Sequence, residues 1–266
     1  MKKKSVIILP VFALLGVLGM FMRVYEWGTA LHMGNDIADV GTPITIALAA
    51  LTVIVLLVSV LYAVRSIPKG AGGTLRKGKF GTVVGFVAGA LIIAGGVMAF
   101  FELRYLFGMT VAVLFAALSV FTGIAVITAA GGKINAGMSL ISPVCCCAWT
   151  LFEYKVFAGE PQLIVFVYPC LAWIAATLSY YYISGYAFDR KSPRKAVVAI
   201  LMTVFLTLTS ILEMESDWAI LLRLGLMLGA AAEFSGIVRS ANEKEILTAE
   251  AVAEEIPDET EEYDKE

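Results

Sequence analysis

Few residues in this chain have types and positions that invite chemistry, and Arg223 stands first among them. It sits inside an apolar stretch, 218–238, about a turn and a half from its start. A guanidinium presents five donors in a planar fork that suits a carboxylate or a phosphate. Three carboxylates stand where neighbouring apolar stretches end: Glu102, Glu153 and Glu213. Two readings are open. Arg223 binds an anionic ligand, or it is neutralised by one of these carboxylates or snorkels to the surface. Glu233, near the other end of the same stretch, is expected to snorkel or to pair with Arg239.

Pro143 and Pro169 come next, each inside an apolar stretch of its own. Each removes a backbone donor and frees a carbonyl. Ser139, Ser142, Tyr168, Trp173 and Thr177 are close along the chain. Broken helices at mid-depth build binding sites in transporters, although proline also serves packing alone. Pro143, Pro169, Tyr168 and Trp173 therefore join Arg223 as candidate ligand-binding residues.

Other residues argue against chemistry. Cys145, Cys146 and Cys147 are adjacent, and neighbours on a helix diverge by about 100°, so they cannot jointly hold a metal. They read as small apolar packing residues, with one of them free to meet Cys170. His32 is the single histidine and cannot build a zinc site alone. Gly73 to Phe80 nearly matches the phosphate-loop pattern, but Phe80 stands where the magnesium-binding hydroxyl belongs and no strand precedes it. It reads as a basic loop facing anionic lipid headgroups. No metal, cofactor or nucleic acid is expected, and an intramembrane enzyme is the least supported class.

The elements that must position these residues are membrane helices. Hydrophobic residues make up 59% and charged residues only 16%, against about 25% charged in soluble domains. Mean hydropathy is +0.85. A spanning helix needs roughly 20 apolar residues, and lipid offers the backbone no partners outside a helix or a closed barrel. Eight spans are predicted: 5–24, 42–64, 81–101, 105–130, 137–157, 161–186, 195–213 and 218–238. The basic start followed by an apolar run resembles a signal peptide, but no small-residue cleavage site follows, so the first span is read as retained.

Orientation follows from the basic residues. One set of loops and ends holds Lys2, Lys3, Lys4, Arg65, Lys69, Arg76, Lys77, Lys79, Lys133, Arg190, Lys191, Arg194, Lys195, Arg239, Lys244 and Lys265, which is 16. The alternate set holds only Arg23, Arg104 and Lys155, which is 3. Both termini are thus expected in the cytoplasm. The tail, 239–266, carries 11 carboxylates from Glu243 to Glu266. Within it, 243–255 is expected as a short helix and the rest as disorder.

Two patterns concern assembly. The halves 1–130 and 137–238 would each hold four spans in the same orientation, which allows a 4+4 parallel repeat. Gly81, Gly85 and Gly89 recur along one span, and Gly225 and Gly229, followed by Ala232 and Gly236, along another. Small residues in register let helices approach closely, within the bundle or across a homo-oligomer. The reading is an all-α polytopic protein of a bacterial cytoplasmic membrane, in contact with lipid. Its expected function is transport of a small solute or ion. The alternative is a non-catalytic subunit or sensor that contacts a protein partner through its loops or tail.

Overall fold

A computed structural model describes residues 2–30, 42–67, 78–133, 135–157, 163–213 and 216–254. Among them there is no strand. Eight α-helices follow in order: α1 (Lys2–Ala30), α2 (Pro43–Ser66), α3 (Lys79–Leu106), α4 (Met109–Ala130), α5 (Ala136–Phe157), α6 (Leu163–Ser184), α7 (Pro193–Thr209) and α8 (Asp217–Glu254). His32, most of the near phosphate-loop segment, Pro161 and the tail beyond Glu254 lie outside the described residues.

Local signals set the helix ends. Thr42 caps α2 by accepting from the Thr45 backbone N–H at 3.4 Å, and Pro43 takes the first helical position. Pro193 does the same for α7. Only Phe107 and Gly108 join α3 to α4. Gly108 has φ of 87°, a left-handed conformation that glycine adopts without steric cost. That tight reversal lays α4 antiparallel against α3 over their length.

The two most buried helices form the centre. α7 touches α1, α2, α6 and α8, and nearly all of its side chains are buried. α8 packs along α3 and also meets α6 and α7. α5 closes the bundle between α4 and α6. The outer face is apolar. On α2, Leu48, Val55, Ser59 and Ala63 point inward while Ile46, Val53, Ile54, Leu57, Leu61 and Val64 are exposed. Apolar surface this continuous suits lipid rather than water.

Among the described residues, six helices are long and apolar enough to cross a membrane: α1, α2, α3, α4, α5 and α8. α7 falls short of that measure by its length. α7 has 17 residues, about 25 Å of helix, and a 3-10 turn at Ile211–Glu213 replaces the expected continuation. α8 departs in the other direction. It runs unbroken to Glu254, so the first part of the 239–266 segment continues the helix.

The bundle has two unlike ends. At one, called here the basic-loop end, lie the starts of α1, α3, α5 and α7, the ends of α2, α4 and α6 and the extension of α8. There the Arg194 Nε–H donates to the Ile67 carbonyl at 2.8 Å, holding the end of α2 to the start of α7. At the other, the ion-pair end, lie Arg23, Glu153, Glu213 and Arg223.

Candidate functional site: a buried arginine among tryptophans

Arg223 faces the bundle interior and is 4% exposed. One of its terminal nitrogens, Nη2, donates to both oxygens of Glu153, which the last turn of α5 presents. Of the three carboxylates expected near Arg223, Glu153 is the hydrogen-bonded partner. Glu213 instead accepts from Arg23, and exposed Glu102 accepts from the Ser216 hydroxyl at 2.7 Å. Glu213 remains within electrostatic reach of Arg223.

Aromatic rings complete the site. The guanidinium carbon of Arg223 lies 5.1 Å from the centroid of the Trp173 ring on α6. Trp173 stacks on Trp149 of α5 with centroids 6.0 Å apart and planes 11° apart. Trp218, five residues before Arg223 on α8, meets Trp149 at 4.9 Å. Trp149 is anchored: its indole N–H donates to the Ser119 hydroxyl at 3.1 Å, and that hydroxyl donates to the Phe115 carbonyl at 2.9 Å. A guanidinium is held well here because its flat face takes the indole while its edge takes the carboxylate.

Not all the donors are matched among the described residues. Arg223 Nε and Nη1, Trp173 Nε1 and Trp218 Nε1 are buried and have no hydrogen-bond partner there. Burying an unmatched donor costs about 1–3 kcal/mol, more for a charged one. Two of these atoms belong to the guanidinium and a third to the indole it lies over, so among the described residues the site is short of acceptors.

A second network lies beside it. Arg23 of α1 is 2% exposed and donates to Glu26, one turn on, and to Glu213 after α7. Thr45 of α2 donates to Glu26 in turn. The Arg23 guanidinium sits 5.2 Å from the centroid of the Tyr168 ring, and Tyr168 shares a hydrogen bond with Thr52 at 3.1 Å. Tyr168 thus belongs to Arg23 and Trp173 to Arg223, with buried Pro169 between them on α6.

No family model, curated protein or solved structure matches this chain.

The remaining candidates are placed as follows. Pro143 and Pro169 lie inside α5 and α6, which continue through them. Pro143 is away from Arg223, ten residues before Glu153. Cys145 and Cys146 are buried, Cys147 is exposed, and all three, like Cys170, are free thiols. Cys170 lies within electrostatic reach of Glu153 and Arg223. Gly81, Gly85 and Gly89 face the interior. Gly85 abuts Ala130 of α4, Gly89 the carbonyl of Gly123, Gly225 the α3 backbone at Ala88 and Ile92, and Gly229 the Tyr180 hydroxyl. Arg23 was missed as a site residue because it stands at the edge of an apolar run, where a basic residue reads as loop. Its spacing of three from Glu26 was the available signal.

Proposed function

We propose that the protein is a multi-pass membrane transporter that binds a small solute carrying a carboxylate or similar anionic group between α5, α6 and α8. The observation that carries this reading is that Arg223 Nε and Nη1 and the indole nitrogen of Trp173 beside it are buried with no acceptor among the described residues. A solute oxygen would satisfy donors that the protein leaves unmatched, and Glu153 would hold the guanidinium in place for it. In this reading all eight α-helices cross the membrane. α7 can be short because its neighbours surround it and shield it from lipid. The basic-loop end faces the cytoplasm, as the distribution of 16 basic residues against 3 favours. The membrane is then a bacterial cytoplasmic membrane with both termini inside. A 4+4 repeat is left out of the proposal: the long α3–α8 contact has no counterpart of like extent between α7 and α4.

A second reading, a sensor or non-catalytic subunit, draws on α8. The helix that carries Arg223 continues to Glu254 without a break, so site and extension share one rigid element.

The test is a melting-temperature screen of the purified protein in detergent against small carboxylates and amino acids. At least one should raise the melting temperature, and Arg223→Lys should abolish the rise while the variant still folds. No response to any of them, or an equal response in Arg223→Lys, would overturn the site. Uptake of the responding solute into proteoliposomes then separates the readings. Accumulation supports the transporter, and binding without uptake supports the sensor.

A further inference from the structure

Glu213 stands in the 3-10 turn that follows α7, beyond the end of the helix, and its side chain is 5% exposed. Its Oε1 accepts from the Arg23 Nε–H, while its Oε2 is buried and has no hydrogen-bond partner among the described residues. The same guanidinium donates through Nη1 to Glu26, and Glu26 also accepts from the Thr45 hydroxyl. Both oxygens of Glu26 are therefore engaged by donors, and Glu213 has one oxygen left over.

Glu213 also lines a recess at the ion-pair end, between α1 and the turn after α7, together with Arg23, Trp27 and Thr209. The volume is about 200 Å³, enough for several water molecules. The Thr209 hydroxyl donates to the Phe205 carbonyl at 2.9 Å and keeps its lone pairs for an incoming O–H. The charge on Glu213 is contested. Removal from water and the neighbouring Glu26 favour the neutral acid, and Arg23 and Arg223 favour the anion. Tyr168 of α6 is the other titratable group in electrostatic reach, and Thr45 of α2 and Thr209 of α7 bring no charge. A neutral acid can keep its bond to Arg23 through Oε1 while carrying the proton on Oε2, so the tie between α1 and the turn survives.

We propose that Glu213 is a proton-binding site and that its proton travels with the anion bound at Arg223. Neutralising Glu213 removes a negative charge within reach of Arg223, which strengthens the pull of that guanidinium on a solute anion. By reciprocity the anion strengthens the hold on the proton. One proton then enters with one negative charge. The coupling rests on Arg223 as an anion site; the proton site stands without it.

The experiment follows the infrared C=O stretch of protonated carboxylic acids in the purified full chain in detergent, without solute, as the pH is stepped from about 5 to about 9. A band that disappears with its half-change near neutral pH is expected, against roughly 4.3 for a free glutamate. Glu213→Gln should remove it. A band absent throughout, or one that titrates unchanged in Glu213→Gln, overturns the proton site. If Glu213→Gln fails to fold, Glu213→Asp replaces it, and a band unmoved in frequency and in half-change overturns the assignment. Arg223→Met with Glu153→Leu removes that ion pair as a unit and leaves no lone buried charge. It should raise the half-change by taking a positive neighbour from Glu213. A half-change that stays in place overturns the coupling and leaves the proton site standing. A failed solute screen at Arg223 with a titrating Glu213 band would separate the two proposals.

Discussion

Two buried arginines govern the chemistry of the ion-pair end, and they solve one problem in the same way. Each sits among carboxylate and aromatic neighbours, because charge and flat face must both be matched away from water. For Arg23 the matching is with Glu26 and Glu213. Arg23→Met should therefore cost about 3 kcal/mol, because it leaves two buried carboxylates facing each other. Adding Glu213→Gln should return part of that loss. Melting temperatures of the single and double variants in detergent check this, and a single variant as stable as the parent would show that the pair is not structural. Arg223 was legible in the sequence because charge inside an apolar run is conspicuous. Its partner was legible only as one of three. Glu102, Glu153 and Glu213 all end helices at the same level, and choosing among them takes the arrangement of those helices around α8.

Packing of the elements rests on backbone approach. At Gly225 an added Cβ would lie 2.9 Å from both the Ala88 carbonyl oxygen and the Ile92 nitrogen of α3. Backbone cannot turn aside as a side chain can, so Gly225→Ala should push α8 off α3. A loss of about 1–3 kcal/mol is expected, typical of an overpacked site. Gly28, at the far end of α1, has nothing within 4 Å of such a Cβ. Gly28→Ala should be neutral or stabilise by up to about 1 kcal/mol, because alanine favours helix. Thermal unfolding of both variants side by side tests the contrast, and equal melting temperatures would remove close backbone contact as the cause. Gly95 makes a similar approach, to the α8 backbone at Leu222 and Trp218, yet it lies outside the four-residue pattern that drew attention to Gly81, Gly85 and Gly89.

The whole molecule is a central pair, α7 and α8, wrapped by apolar helices. Its orientation is open to direct test. Reporter fusions at Gly72, Ser192 and Ala253 should report the cytoplasm, and those at Asn35 and Ser216 the opposite side. Any of the first three found outside would sink the eight-span arrangement. By itself the sequence determined that the chain is helical, that its helices suit a membrane and roughly where they begin and end. Those properties depend on the local run of side chains and on the backbone's need for internal hydrogen bonds in lipid. Tertiary structure alone decided that α7, the shortest of the eight α-helices described, lies at the centre, since its apolar sequence would suit a lipid-facing position equally well. It alone decided that Glu153 rather than Glu102 or Glu213 holds Arg223, that Arg23 is buried, and that Tyr168 and Trp173 serve different arginines. Each of these is a contact between helices distant in sequence, set by which faces of the bundle meet, and no local pattern of residues encodes it.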